Sequence, residues 1–371
     1  MQTALELAKQ GRFSTSPNPR VGCVITQGEQ IVGQGFHVKA GEAHAEVQAL
    51  KQAGEHAYKA TAYVTLEPCS HTNRTGPCVQ ALIKAGIKRV VVAMEDPNPQ
   101  VSGQGLAQLR QAGITVDCGL FASQARMLNL GFLSRLERQR PFTRLKIAAS
   151  LDGKSALSNG ESKWITGVEA RNDVQTLRAE SCAILTGINT ILADNPYLNV
   201  RRFATLRQPL RIILDSQFRI TPDYHVITDD ASPTVIVTTP DQLAKQAQFS
   251  SYSHVSFLTV PANRQGHIDL HLLWPLLAQQ QIGLLLVEAG NILSSALLQA
   301  NLVDDIIYYQ APKLLGQTAR AAFCLPENQQ ALNHTSWQTD SLSLIGTDSR
   351  WILRQSASAQ WINSSSDIIN P

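Results

Sequence analysis

The chain has 371 residues, 43% of them apolar and 16% charged, with a formal charge of +3. That length asks for two hydrophobic cores, and that composition excludes a disordered chain. A near-neutral balance, only 6% aromatic residues and no Lys/Arg stripe give no argument for a nucleic-acid groove, although a few local arginines could hold a small anionic substrate.

Residues 3–13, TALELAKQGRF, are polar and lack the apolar centre of a secretion signal. No run approaches the ~20 apolar residues of a membrane span. The longest, around 90–94 and 284–287, have the length of buried strands. Six cysteines, Cys23, Cys69, Cys78, Cys118, Cys182 and Cys324, make no disulfide scaffold in a chain this long. A reducing cytoplasm is the expected setting.

Pro17-Asn18-Pro19 leads into the first strand. Two prolines fix the approach and place Asn18, whose amide can read a heterocycle edge; an ordinary turn is the other reading. Residues 21–25 and 30–35 predict a hairpin about Gln27-Gly28, and His37, just beyond it, can border a pocket. Helices are predicted over 43–54, 78–86, 105–112 and 123–138, and strands over 62–66, 89–94 and 114–116. This alternation predicts an α/β domain with a partly parallel sheet. The polar segment before Pro141 puts a boundary near 140, giving domains 1–140 and 141–371. Beyond it, strands are predicted at 143–149, 183–185, 211–214, 234–238, 254–259, 283–287 and 305–309, and helices at 168–179, 274–280 and 294–300. Residues 356–371 lack clear periodicity and read as a tail.

Three pieces of the first domain carry metal chemistry. His44-Ala45-Glu46 opens a helix, Cys69 follows a strand, and Cys78 opens the next helix. One imidazole and two thiolates suit a single zinc with its fourth position left to water, whose pKa the metal lowers. Helix N-termini favour thiolates. Glu46 is poorly placed as a ligand and well placed to carry a proton from water to a ring nitrogen and then to departing ammonia. The alternative is a structural zinc with Cys23 or His71 as fourth ligand. The combination HAE, PC and C in this strand–loop–helix setting favours an aminohydrolase acting on a nitrogen heterocycle. The commoner signature is C-x-x-C; here eight residues separate the cysteines. In that longer loop His71 and Arg74 can hold the base or its phosphorylated sugar, or can fix the loop.

The second domain has no G-x-G-x-x-G after a strand, so a Rossmann reading is unsupported. Strand 284–287 runs instead into Glu288-Ala289-Gly290-Asn291 and a helical stretch. Gly290 permits close backbone approach, and the helix start offers N–H groups to a phosphate or diphosphate. Arg178 and Arg201 have forks that match phosphate oxygens, and the face of Trp164 can pack on a cofactor ring.

These residues resemble the bifunctional riboflavin-biosynthesis deaminase–reductases. The likeness runs through TSPNPRVGCVI, GQGFHVKAGEAHAE, AYVTLEPCSHTNRTGPC and MEDPNPQVSGQG, then KIAASLDGK, GESKWITG, ILTGINTILADNPYLNVR and LLLVEAGNIL. The resemblance implies an α/β fold pair: a cytidine-deaminase-like α/β/α domain followed by a dihydrofolate-reductase-like α/β domain. It implies deamination of 2,5-diamino-6-(5-phosphoribosylamino)pyrimidin-4(3H)-one, then NADPH-dependent reduction of 5-amino-6-(5-phosphoribosylamino)uracil to the ribityl product. It places Ala148, Trp164, Thr190, Asp194, Ser216, Gly290, Asn291, Ile292, Leu293 and Ser294 at the cofactor. It places Asn18, His71, Arg74, Ser162, Arg178, Leu198, Arg201 and Glu288 at the substrate. Lys146 and Asp215 are further pocket candidates, and Asp194, Lys146 or water remain open as the proton source for reduction. The chain departs from the family pattern at Asn73, Gly76 and Asn195. The implied partner is a small phosphorylated pyrimidine, without nucleic acid or membrane, in a possible homo-oligomer. A nucleic-acid base deaminase is the nearest enzyme alternative.

Overall fold

A computed structural model describes residues 1–70, 76–98, 101–327 and 336–364. Its contacts divide the chain into two units, Met1–Gln139 together with the residues from Gln360, and Arg140–Ala359.

The first unit runs α1 (Gln2–Gln10), β1 (Gly22–Gln27), β2 (Gln30–Phe36), α2 (Ala45–Ala53), β3 (Thr61–Val64), α3 (Cys78–Lys84), β4 (Arg89–Val92), α4 (Gln104–Gln111), β5 (Thr115–Cys118), α5 (Ala122–Leu128) and α6 (Leu130–Glu137). The sheet order is β2-β1-β3-β4-β5. β1 is antiparallel to β2 and β3, and β3, β4 and β5 are parallel. Glycine decides how close α2 comes. A Cβ on Gly33 would collide with the Ala49 carbonyl and one on Gly35 with the Ala45 carbonyl. The helix therefore lies directly on β2, and its N-terminus is held at a fixed height over the sheet. Ala45, Ala49 and Ala53 bury its inner face, beside Cys23, Ile25 and Val64.

The second unit runs β6 (Phe142–Ser150), β7 (Lys154–Ala156), α7 (Val168–Glu180), β8 (Ala183–Gly187), α8 (Ile188–Asp194), β9 (Leu210–Leu214), α9 (His225–Thr228), β10 (Thr234–Thr238), β11 (Val255–Thr259), α10 (Leu270–Gln279), β12 (Leu284–Glu288), α11 (Asn291–Gln299), β13 (Asp305–Ala311), β14 (Arg320–Ala321), β15 (Trp337–Ile345), β16 (Asp348–Gln355) and α12 (Ser356–Asn363). Its large sheet is ordered β11-β10-β9-β8-β12-β6-β13-β16-β15. From β11 to β13 all neighbours are parallel; β16 and β15 close the sheet antiparallel. Apolar residues of the central strands point alternately into two cores, one under Trp274 and Leu277, the other under Phe218 and Ile227. The C-terminal ends of β6, β8, β9 and β12 consequently share one edge, where open α/β sheets bind ligands.

Several elements differ from the sequence expectation. Residues 3–10 belong to α1, whose Ala4, Leu5 and Ala8 form a narrow buried stripe among polar residues. The helix expected over 123–138 is two helices. Asn129 breaks it, because its side chain accepts from the Arg20 N–H at 2.8 Å and donates to the Arg20 carbonyl at 3.1 Å. β15 and β16 were not expected, since serines alternate with the leucines of β15 and dilute its apolar signal. The expected tail begins with α12. From Gln360 it groups with the first unit rather than the second: Trp361 stacks on the Arg138 guanidinium at 4.0 Å, and its Nε1 donates to Glu137 at 2.7 Å. Among the described residues no helix is long and apolar enough to cross a membrane.

Candidate functional site

In the first unit, three chain segments meet where β3 ends. His44 is the N-cap of α2 in an extended conformation, and its ring caps nothing. It turns Nδ1 towards Cys69 Sγ at 3.6 Å and Cys78 Sγ at 3.3 Å. Cys78 is the first residue of α3, and its N–H donates to Cys69 Sγ at 3.4 Å. The three ligand atoms lie within 4.8 Å of one another, and Cys23 is not among them. Tetrahedral zinc, with bonds of ~2.0 Å to nitrogen and ~2.3 Å to sulfur, sets nitrogen–sulfur edges near ~3.5 Å, so the donors fit it. Their electrostatics agree. The Cys78 thiol and the His44 ring draw Cys69 down to about 4, while the hydrogen bond to Cys69 and burial push Cys78 far up. The Cys69 sulfur raises His44. Two sulfurs this close carry thiolate together only around a cation.

Glu46, in the first turn of α2, is 3% exposed. Burial pushes its carboxyl up to about 7, a value suited to taking and returning a proton. His37 Nδ1 faces the Ala43 carbonyl at 3.4 Å; with the proton there, His37 Nε2 accepts from Asn18 Nδ2 at 3.1 Å. That contact orients the Asn18 amide. The His37 ring also stands edge-on to His44, centroids 5.3 Å apart, and burial lowers its pKa. His71 and Arg74 lie outside the described residues.

In the second unit the named residues follow the strand ends. Lys146 on β6 and Glu288 on β12 are side-by-side partners. Arg178 on α7 grips Glu288 with Nε at 2.6 Å and Nη2 at 2.9 Å, and its Nη1 donates to the Asn199 carbonyl at 3.1 Å. The Arg178 fork is therefore occupied by a carboxylate. Burial raises Glu288, but Arg178 outweighs it and holds the carboxyl below its ordinary range. Burial lowers Lys146. Arg201 donates to Asn199 Oδ1 at 3.3 Å; burial and then Arg178 lower its pKa. Leu198 is 2% exposed and packs within a core.

Gly290 is the N-cap of α11 with φ −69°. A Cβ there would meet nothing within 4 Å, so protein packing does not call for glycine, and a cradle for a diphosphate fits. Ile292 is exposed, Leu293 packs over Gly187, and the buried Ser294 hydroxyl donates to the Ala289 carbonyl at 3.3 Å. Asn291 Nδ2 donates to the Ala321 carbonyl at 3.1 Å. Thr190 lies in α8, Asp194 ends it, and Lys163 reaches Asp194 at 4.0 Å. Trp164 is 62% exposed, with the Arg171 guanidinium 4.4 Å over its ring and Lys313 donating to its carbonyl at 2.8 Å. Ser162, two residues earlier, and Ala148 on β6 are half-buried. Asp215 is fully buried after β9, raised by burial, and accepts from the Ile220 N–H at 2.8 Å; the Ser216 carbonyl accepts from Thr239. Asn199, Arg171, Lys313 and Gly187 were not singled out in the sequence. Only Gly187 carried a local signal, a glycine between a buried strand and a helix start.

Comparison with known proteins agrees with this geometry. Residues 1–94 match the cytidine and deoxycytidylate deaminase zinc-binding region, and residues 141–349 match the RibD C-terminal domain. The chain is 49% identical over 360 residues to the riboflavin biosynthesis protein RibD of Escherichia coli, covering 94% of this chain and 96% of that one. It is 46% identical to the RibD of Haemophilus influenzae, covering 94% of each. Acinetobacter baumannii RibD superposes with a TM-score of 0.87 at 44% identity, covering 95% of this chain and 97% of that one. A Thermotoga maritima structure described as a diaminohydroxyphosphoribosylaminopyrimidine deaminase/5-amino-6-(5-phosphoribosylamino)uracil reductase superposes with a TM-score of 0.84 at 30% identity, covering 96% and 97%.

Proposed function

The chain belongs to the RibD family, bifunctional deaminase–reductases of riboflavin biosynthesis with a zinc-binding deaminase domain, and from that membership we propose the two reactions it carries out. The first is hydrolytic deamination of 2,5-diamino-6-(5-phosphoribosylamino)pyrimidin-4(3H)-one at one zinc ion per chain. The second is NADPH-dependent reduction of the product, 5-amino-6-(5-phosphoribosylamino)uracil, to its ribityl form. The name of the Thermotoga maritima relative supports these substrates. The observation that carries the first reaction is the buried Glu46 carboxyl, pushed up to about 7, on the helix that His44 caps.

Zinc held by His44, Cys69 and Cys78 supplies Lewis acidity that makes water nucleophilic at neutral pH. Glu46 takes one proton from the attacking water and returns it to a ring nitrogen; it then takes the second from the hydroxyl left on the carbon, which becomes the carbonyl, and gives it to the amino group as that departs as ammonia. Asn18, oriented by His37, receives the edge of the heterocycle.

NADPH, when bound, would supply the hydride for reduction at C1′ of the ring-opened ribosylamine, an imine-like carbon. The first turn of α11 beyond Gly290 receives the cofactor diphosphate, and Trp164 borders the cofactor. Arg201, unlike Arg178, is not committed to a carboxylate, and it takes the substrate phosphate. Lys146 protonates the amine nitrogen: it stands beside Glu288, and burial makes its ammonium give up a proton more readily. A coupled assay tests the reading. With the diaminopyrimidine ribotide supplied, ammonia release precedes NADPH oxidation, and each is followed separately. Absence of ammonia release from zinc-loaded protein sinks the first reaction; oxidation of NADPH without prior deamination sinks the order.

A further inference from the structure

Glu67 lies between β3 and Cys69 and is 4% exposed. Its carboxylate serves residues far downstream. Oε2 accepts from the N–H groups of Asp96 at 3.1 Å and Gly103 at 3.0 Å. Oε1 accepts from Gly105 at 2.8 Å and Leu106 at 3.3 Å. The Glu67 N–H itself donates to the Met94 carbonyl at 3.0 Å. One buried side chain thus gathers the exit of β4, the N-cap of α4 and the first turn of α4. Gly105 backs this contact, because a Cβ there would collide with the Pro68 carbonyl. On the other side the turn is held by α3, where the Val79 N–H donates to the Cys69 carbonyl at 3.2 Å and the Cys78 N–H donates to Cys69 Sγ.

We propose that Glu67 is a positioning residue for deamination: by binding the backbone around Asp96 and Gly103–Leu106, it fixes the Pro68-Cys69 turn and so aims the Cys69 sulfur at the metal. The inference rests on Cys69 being a zinc ligand. Its physical basis is hydrogen-bond capacity. A carboxylate offers acceptor sites on both oxygens, whereas an amide turns an NH2 group against one pair of N–H donors and leaves that pair buried and unpaired. Groups that orient metal ligands without touching the metal typically change metal affinity or activity by ~10–100-fold when replaced.

The test uses the full-length, zinc-loaded protein and its Glu67→Gln and Gly105→Ala variants. Four readouts are taken: zinc transfer to a chromophoric chelator, amide hydrogen exchange, deaminase kcat and KM, and reductase activity on pre-deaminated substrate. Both variants should exchange faster at Asp96, Gly103, Gly105 and Leu106. Both should lose zinc ~10–100-fold faster and lose deaminase kcat by a similar factor, with KM and reductase activity near wild type. Faster exchange with zinc loss and kcat at wild-type values overturns the proposal, since Glu67 would then only shape the α4 approach. If Glu67→Gln fails to fold its unit, Gly105→Ala decides by the same readouts. A Cys69→Ala variant separates the premise from the inference: retention of zinc there would defeat the ligand assignment itself.

Discussion

The two units solve the problem of assembling charge in opposite ways. In the first, three donor atoms converge within 4.8 Å and cannot all adopt the ionised form that suits a metal until a cation joins them. In the second, the strongest charges are already paired: Arg178 holds Glu288 with both arms of its fork, and Lys146 stands alongside. The first site is complete only when loaded, while the second is organised before a ligand arrives. The difference teaches that opposite charges can be matched across a packed core before any ligand binds, whereas like-charged donors wait for a cation.

Zinc removal should break the symmetry most sharply. Chelation, or Cys78→Ala, should abolish ammonia release, while reduction of pre-deaminated substrate continues at its original rate. Joint loss of both activities would mean that metal loss unfolds more than the first unit. Next comes Glu46→Gln, which should keep its zinc and lower deamination by ~10²–10⁴-fold; ammonia release at the wild-type rate would remove Glu46 as the proton carrier. In the second unit, Arg178→Met should strip buried Glu288 of both its Arg178 hydrogen bonds, leaving only Lys146 and Arg201 near it, and cost up to ~3–5 kcal/mol in urea unfolding. Adding Glu288→Leu should restore much of that stability without restoring reduction, and a single variant as stable as wild type would refute the pairing argument.

The smallest effect concerns acid. Hydrogen bonds from Ser150 and the N–H groups of Leu315 and Gly316 hold Asp152 down to about 2. The carboxyl ionises more readily folded than unfolded. Its contribution is therefore complete above the ordinary carboxylate pKa of ~3.9 and fades as pH falls through about 2. Wild type and Asp152→Asn should differ by a constant amount above about pH 4 and converge below it; a gap that widens in acid would reverse the sign.

Much of the first site was readable because its chemistry is local. His44, Glu46, Cys69 and Cys78 each stand at a helix start or strand end that apolar spacing marks. Which imidazole nitrogen meets the sulfurs was not readable, nor was the His37–Asn18 contact, because both depend on how closely α2 lies on β2. The parallel strands of the second unit were visible as apolar runs, but the antiparallel β7, β14, β15 and β16 were not; in β15 serines alternate with the leucines and dilute the signal. The helix α12 was invisible for another reason: its anchor, Trp361, finds Glu137 and Arg138 more than two hundred residues away in the chain.

Amino-acid order by itself pointed to the donor set and the alternation of strands and helices, since each follows from neighbours along the chain. Tertiary structure alone decided which charges neutralise which. Glu288 meets Arg178 across 110 positions and Lys146 across a strand register, and Glu67 gathers amides 29 to 39 residues downstream. Such pairings depend on strand register and helix approach, quantities that only the packed core fixes.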